Sequence, residues 1–229
     1  MRIVTLSDLI KSAQRYADME FSSFISDNEW IQYINISAAK YWNLINSFTQ
    51  DYNFNELYFD LILGQQNYDL PPDFLYVRGV DANISANATA ESDNWTAIER
   101  YMLAERNISR ANLTNFNGGY YLKYRIQGNK LRFEPSPQGY QTCRLLYTPV
   151  MPDLVDLTDT IDGINGFDDY IAMLAAVRAL AKEETDTSYL QINISNFENQ
   201  IKTAADDRNR DQADRVQDVS LRKNWGVGW

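Results

Sequence analysis

The sequence predicts an α+β protein in which helices from the N- and C-terminal parts form a bundle beside an inserted, small antiparallel β domain. Three observations indicate this class. Apolar residues recur at helical spacing in the first fifty residues and again after residue 166, whereas the middle third mixes β-branched and aromatic residues with turn sequences. Helical segments on both sides of a strand block predict that the two end portions of the chain pack together.

The expected organisation has four parts. Residues 1–52 and 153–207 supply the helices of the core bundle, residues 53–152 form the β-rich insertion, and residues 208–229 form an extended C-terminal docking tail. Hydrophobic residues make up 45% of the 229, which is enough apolar material for a sizeable core. No apolar run approaches the roughly 20 residues that cross a bilayer, and the first residues lack a signal-peptide pattern, so we expect no membrane segment.

Two helix starts are marked by their capping sequences. Thr5 and Asp8 resemble a capping box before a helix over about 6–19, and Ser26 with Glu29 is a full capping box before a helix over about 27–50. The buried stripes expected on these helices are Leu6, Leu9, Ile10, Ala13, Tyr16 and Ala17, and then Trp30, Ile34, Ala38, Tyr41, Ile45 and Phe48.

The middle of the chain is predicted to form strands. The clearest signal is a hairpin over 121–135 that turns at Gly128-Asn129. Cys143 lies in a strand-like sequence, and residues 95–110 are predicted to form a short helix inside the insertion. The polar stretch 83–94 is expected to be a loop.

Two further helices are predicted after residue 166. In residues 166–184 apolar side chains cover nearly the whole circumference, so this helix must be covered on several sides. The next helix has a single apolar seam, formed by Leu190, Ile194, Phe197, Ile201 and Ala205.

Charge and composition exclude several kinds of function. A net charge of −10 argues against a protein that holds nucleic acid by neutralising phosphates. The chain contains no histidine and one cysteine, which removes the usual general base, His-containing triads, disulfides within the chain and multi-thiolate zinc sites. We therefore expect no enzyme, no cofactor and no metal site.

Two chemical alternatives remain to be weighed. The acidic residues between 153 and 169 suggest a calcium loop, but their spacing fits one poorly, and a solvated loop before a helix N-terminus explains them better. Carboxylates alone can serve a glycosidase, and exposed Tyr or Trp can stack on sugars, although no spacing identifies an acid–nucleophile pair. A sugar-binding or glycosidase-like component is therefore the alternative, and a generic oligomeric scaffold is the next one.

The C-terminal segment carries the candidate partner-binding residues. Two tryptophans lie beyond the last predicted helix, where a small domain has difficulty burying them, and large apolar groups there are typical of docking surfaces. Interleaved Arg and Asp residues precede them and can form ion pairs across an interface. The candidate docking residues are Arg208, Arg210, Arg215, Val216, Val219, Leu221, Arg222, Lys223, Trp225 and Trp229.

The order of several short phrases resembles one known family. These phrases are Tyr68-Asp-Leu-Pro-Pro-Asp-Phe74, Gly128-Asn-Lys-Leu-Arg-Phe-Glu-Pro-Ser-Pro137, Tyr147-Thr-Pro149, Asp168-Asp-Tyr-Ile171 and Ala204-Ala-Asp-Asp-Arg-Asn-Arg210. In this order they resemble the head-to-tail adaptor, or connector, proteins of tailed bacteriophages.

The resemblance implies a role in virion structure. It implies a homo-oligomeric, dodecameric ring beneath the portal protein that contacts tail or nozzle proteins in the phage neck, after assembly in the host cytoplasm. DNA would pass through the ring without specific binding, and an acidic surface suits such a channel. No membrane contact is implied.

Overall fold

The computed structural model describes residues 3–49, 52–83, 95–105, 122–137, 139, 141–163 and 166–208. Within these ranges the chain forms four α-helices: α1 (Leu6–Tyr16), α2 (Asp27–Phe48), α3 (Asp168–Lys182) and α4 (Ser188–Arg208). Ten strands accompany them: β1 (Ile3–Thr5), β2 (Asn55–Leu61), β3 (Asn67–Asp69), β4 (Phe74–Asn83), β5 (Trp95–Ala97), β6 (Glu99–Arg100), β7 (Lys123–Gln127), β8 (Lys130–Glu134), β9 (Gln141–Pro149) and β10 (Thr160–Asp162). The predicted α+β class is confirmed.

Capping interactions fix where the first two helices begin. The backbone N–H of Asp8 donates to Thr5 Oγ1 at 3.1 Å, and at Ser26 both halves of the capping box form, with the Ser26 N–H donating to Glu29 Oε2 at 3.0 Å. The first helix ends at Tyr16, earlier than expected, because Asp18 adopts a left-handed conformation with φ of 56°.

The four helices share one apolar core, and α3 packs against α1, α2 and α4. The predicted stripes of α1 and α2 are buried with two exceptions, since Tyr16 of α1 is exposed and Phe48 of α2 is half-buried. The seam of α4 is also confirmed at Leu190, Ile194 and Ile201, which are buried, whereas the side chain of Ala205 lies outside the described residues.

A two-stranded ribbon completes the helical core. Strand β1 pairs antiparallel with β10, so that Val4 lies opposite Ile161 and both side chains enter the core. The pairing ties the residues before α1 to the segment that leads into α3. Three-residue strands carry almost no periodic signal, which is why the sequence did not predict this ribbon.

The other strands form two four-stranded sheets that face each other. Their orders are β2-β9-β4-β5 and β3-β8-β7-β6, and the pairs are antiparallel except for β6 with β7. Phe59 of the first sheet contacts Tyr68 and Phe133 of the second, with ring centroids 5.4 and 6.3 Å apart. The predicted hairpin is confirmed as β7–β8, with Gly128 at a φ of 60° in its turn.

One local prediction is wrong. Residues 95–105 form β5, β6 and a short 3₁₀ helix (Leu103–Glu105) instead of an α-helix. Of the predicted loop 83–94, Asn83 is instead the buried last residue of β4, and residues 84–94, like residues 106–110, lie outside the described residues. Strand β5 pairs with β4 through Asn83 and Trp95, and β6 pairs with β7. These pairings across the chain override the local helical propensity of the sequence.

Side-chain hydrogen bonds connect the helical core to the sheets. The Trp42 indole N–H donates to the Pro149 carbonyl at 3.0 Å, and Arg78 donates to the Asn46 carbonyl at 2.9 Å and to Thr148 Oγ1 at 2.7 Å. The helices and the paired sheets have separate apolar cores. The four-part division of the chain stays a prediction.

Candidate docking site

The predicted docking residues lie at and beyond the end of α4. Arg208 is the last residue of that helix, and its side chain is outside the described part of the structure. Arg210, Arg215, Val216, Val219, Leu221, Arg222, Lys223, Trp225 and Trp229 lie outside the described residues altogether. The structure therefore describes only the helix from which they extend.

Helix α3 receives its cover from the same chain. Tyr170, Ile171, Ala175 and Ala179 are fully buried against the other three helices. Its most accessible apolar side chains belong to the half-buried Leu174, Val177 and Leu180, together with the exposed Ala181. The sequence expectation of cover on several sides is met within one subunit, and the proximity of this helix to a subunit boundary stays a prediction.

Polar contacts lock α3 to its neighbours. The Tyr170 hydroxyl donates to Glu198 Oε1 of α4 at 2.8 Å, and Lys40 of α2 lies 3.4 Å from the same oxygen. Burial, followed by the adjacent Glu198 carboxylate, raises the pKa of Tyr170 above its ordinary value, so the phenol remains a donor. One carboxylate thus joins three helices.

A second polar contact lies at the C-terminal end of α3. Lys182, its last residue, donates to Glu29 Oε1 of α2 at 2.5 Å, and its ammonium lies 5.1 Å from the Phe24 ring centroid. The bond from Lys182 and those from Ser26 lower the pKa of Glu29 from its usual 4.5 to about 2. Glu29 therefore acts both in a helix cap and in an ion pair between helices.

Beside this contact, the ends of α1 and α3 and the start of α4 enclose an open cleft of about 500 Å³. Its residues come from the turn after α1, the last turn of α3 and the loop into α4. We call it the acidic cleft, and it is lined by Tyr16, Ala17, Asp18, Leu180, Glu183, Thr185, Asp186, Tyr189 and Leu190.

The cleft combines negative charge with aromatic surface. Tyr189 is 75% exposed and Tyr16 38%, while Asp18, Glu183 and Asp186 bring three carboxylates. Asp186 accepts hydrogen bonds from the Ser188 N–H at 2.9 Å and from its hydroxyl at 2.6 Å, and these lower the pKa of Asp186. Asp186 therefore keeps its charge at neutral pH.

Sequence reasoning missed the acidic cleft. Its residues come from two parts of the chain, 16–18 and 180–190, which are more than 150 positions apart, so no local motif joins them. One available signal was Tyr189, an aromatic residue that does not belong to the apolar seam of α4. A large aromatic side chain outside the buried stripe of a helix indicates an interaction surface.

Comparison with known families decides the class of this protein. The family model of the SU10 adaptor protein matches residues 4–223, which is nearly the whole chain. The chain belongs to the SU10 adaptor protein family. This is a family of phage head-to-tail adaptors, so the resemblance found in the sequence is confirmed. A search of curated proteins finds no match.

Membership of the adaptor family supports a structural role in a bacteriophage virion. A structural family also favours a protein without catalytic activity. Among the described helices of the adaptor, none is long and apolar enough to cross a membrane.

Two carboxylates of the acidic segment before α3 accept hydrogen bonds from other groups of the chain. Asp159 Oδ2 accepts the N–H groups of Val155 and Asp156 at 2.7 and 2.8 Å, which lowers the pKa of Asp159. Asp162 accepts a hydrogen bond from the Tyr52 hydroxyl. Within the described ranges of the adaptor, no group of three potential metal ligands is close enough to hold an ion.

The outer face of the first sheet carries the aromatic residues relevant to the sugar-binding alternative. The Arg144 guanidinium lies 4.7 Å from the Trp95 ring centroid and bonds Asp81 at 2.8 Å, and Tyr58 lies 5.9 Å from Trp95. These contacts hold the aromatic rings by packing and charge within the adaptor. Cys143 lies on the inner face, where burial raises the pKa of its thiol to about 12.

Proposed function

We propose that this adaptor is the subunit of a homo-oligomeric, dodecameric ring in the virion neck. The ring joins the portal protein to tail or nozzle proteins and surrounds the channel through which DNA leaves the head. The match to the adaptor family over residues 4–223 is the observation that carries the proposal. Assembly takes place in the host cytoplasm.

The charge of the chain supports a channel through which DNA slides. A net charge of −10 disfavours condensation onto phosphate groups, because non-specific DNA binding needs clustered lysine and arginine. DNA passes such a wall without specific binding.

The C-terminal segment supplies the docking anchor of the proposed ring, against the portal or a neighbouring subunit. Exposed ion pairs contribute only about 0–1 kcal/mol each, so the interleaved Arg and Asp residues set the register more than the affinity. Trp225 and Trp229 are the stronger anchors, since a desolvated aromatic residue at an interface contributes on the order of 2–4 kcal/mol.

Co-expression with the portal protein tests the proposal. Negative-stain microscopy of the purified complex should show a ring bound to one face of the portal. Deletion of Val216–Trp229 should leave the melting temperature nearly unchanged but abolish docking, and the double change Trp225→Ala and Trp229→Ala should weaken it. If the truncated chain binds the portal with unchanged affinity, the anchor lies elsewhere. If the full-length protein stays monomeric and does not bind the portal, the proposed ring is refuted.

A glycosidase-like activity is the outcome that would replace this proposal. The purified protein should release no sugar from peptidoglycan or host polysaccharide. Reproducible turnover that disappears when one Asp or Glu is changed to its amide would favour the sugar-active alternative instead.

A further inference from the structure

The acidic cleft has the composition of a receptor for a basic and aromatic peptide. It offers the carboxylates of Asp18, Glu183 and Asp186, and no lysine or arginine is found among the described residues that line it. Tyr16 and Tyr189 provide aromatic faces beside these charges. A guanidinium or ammonium group is attracted both by carboxylates and by aromatic faces, and an indole packs on the apolar part.

The basic residues nearest to the cleft along the chain are bonded to other carboxylates. Lys182, at the end of α3, pairs with Glu29 at 2.5 Å. Arg15, in the last turn of α1, pairs with Glu20 at 3.0 Å. Among the residues that the structure describes, these two side chains therefore do not neutralise the three carboxylates of the cleft.

One segment of the chain has the complementary chemistry. Residues 219–229, Val-Ser-Leu-Arg-Lys-Asn-Trp-Gly-Val-Gly-Trp, contain Arg222, Lys223 and two tryptophans but no acidic residue. This run stands out in a chain with 31 acidic and 21 basic residues. This run lies beyond the end of α4 at Arg208, and residues 209–221 connect that helix to Arg222 and Lys223.

We propose that the acidic cleft of one subunit binds residues 219–229 of a second copy of this chain. Arg222 and Lys223 lie against the carboxylates, and Trp225 packs against Tyr189 and the neighbouring leucines. The inference rests on the proposed ring, and it assigns the C-terminal segment to a neighbouring subunit.

Geometry favours the second copy over the same chain. The cleft contains the start of α4, and the 21 residues of that helix place its other end about 30 Å away. Residues 209–221 reach at most about 45 Å when fully extended, so a return along their own helix would use two thirds of that reach. A return to its own cleft therefore costs this connection part of its backbone freedom, whereas a neighbouring α4 that ends near the cleft requires no return path.

The contact is heterologous, because the cleft and the segment are different surfaces. Each subunit gives one segment and accepts one, and contacts of this type close into a ring when the rotation between copies allows it. The inference therefore names a surface through which the proposed ring is built.

Cysteine cross-linking in the full-length protein tests the contact. One chain carries Thr185→Cys in the cleft, and a second chain, with a tag that changes its mass, carries Asn224→Cys. The native Cys143 is buried and its raised thiol pKa keeps it unreactive. After mixing and mild oxidation we expect at least ten times more mixed dimer than with the control Asp69→Cys, which lies on an exposed strand of the second sheet.

A charge change provides the second arm. Glu183→Lys with Asp186→Asn removes the net negative charge of the cleft, since the added lysine offsets Asp18, and it keeps an amide that can cap α4. We expect this pair to reduce the mixed dimer at least tenfold, and Arg222→Glu with Lys223→Glu in the other chain to restore part of it. Equal cross-linking of the control, or a yield that ignores these charges, would overturn the proposal.

The outcomes separate this contact from the proposed function. A cross-link within one chain that carries both Thr185→Cys and Asn224→Cys, at high dilution, would assign the segment to its own cleft and overturn the inference. Rings seen by microscopy without the mixed cross-link would also overturn it and leave the adaptor ring intact. A mixed cross-link without any ring would support the contact and refute the ring.

Discussion

The helical core and the pair of sheets are held together by different kinds of contact. In the helical core, caps such as Ser26–Glu29 form between residues three positions apart, and bonds such as Lys182–Glu29 then join helices. In the sheets, a ladder between distant parts of the chain joins β4 to β9, so that Val80 lies opposite Leu145. The helices are specified locally and fixed by a few distant contacts, while the sheets depend on distant pairing from the start.

The two regions also differ in how they meet solvent. The accessible apolar residues at one end of the helical core lie around a formed cleft that includes Tyr16 and Tyr189. The first sheet instead ends in β2, whose first four residues are all exposed, among them Leu57 and Tyr58. The helical core presents a cleft, and the sheet presents β2, which lies at its edge among the described strands.

The largest expected effect is a charge placed inside the helical core. Ile171→Asp should destabilise the protein by about 4–5 kcal/mol, because Ile171 has no exposed surface and an aspartate there has no partner. Leu174→Asp should cost less, about 2–3 kcal/mol, since Leu174 is half-buried on the same helix. Chemical unfolding followed by circular dichroism measures both.

The matched control for this comparison is Ile171→Val, which should cost about 0.5–1.5 kcal/mol. Equal losses for the two aspartate variants would mean that the face of α3 around Leu174 is buried in the assembled protein. That result would favour a subunit boundary at this helix.

A cavity in the second core tests whether the two regions unfold separately. Phe133→Ala should cost about 3–5 kcal/mol, because its ring is fully buried between the sheets and contacts Phe59 and Tyr68. Hydrogen exchange should accelerate in β7, β8 and β9 while α1 and α3 keep their protection. A uniform loss of protection across helices and strands would mean that the two cores unfold as one unit.

The sequence predicted the helices far better than it predicted the sheet edges. Helix positions followed from caps and from apolar spacing, both of which lie within a few residues of each other, as at Ser26, Glu29 and Trp30. The end of α1 was misplaced because nothing local indicated the left-handed conformation of Asp18. The residues around Trp95 were misassigned because their partners on β4 lie across the unassigned stretch 84–94.

The docking residues and the acidic cleft also differ in how far the sequence predicted them. The docking residues at the C-terminus were inferred from composition, and they lie outside the described residues except for the helical residue Arg208. The acidic cleft was invisible to sequence reasoning, because Tyr16 and Tyr189 meet only after α1, α3 and α4 have packed. A site built from three helix ends has no linear motif.

A smaller effect is expected where the helical core fixes the chain that returns from the sheets. Asn35 of α2 donates from Nδ2 to the Leu154 carbonyl and accepts the Leu154 N–H at Oδ1, each at 2.8 Å. Asn35→Ala should cost about 1–2 kcal/mol, because both backbone groups lose their partner. Asn35→Asp keeps the acceptor for the Leu154 N–H but places an acceptor oxygen against the Leu154 carbonyl, so it should lose at least as much stability in thermal unfolding as Asn35→Ala. An unchanged melting temperature in either variant would contradict a stabilising role for these two bonds.

The smallest expected effect is a pH dependence of stability that arises from a polar contact of the helical core, the one between Glu29 and Lys182. The pKa of Glu29 is lowered from 4.5 to about 2 by Lys182 and Ser26, so its contribution is complete above pH 4.5 and disappears as the pH falls toward 2. Glu29→Gln should therefore lower the melting temperature at pH 6 and flatten its decline between pH 4.5 and 2. Glu184→Gln, at an exposed carboxyl just beyond α3, is the matched control and should follow the wild type. If the melting temperature of Glu29→Gln falls between pH 4.5 and 2 as steeply as that of the wild type, other carboxylates govern the acid response.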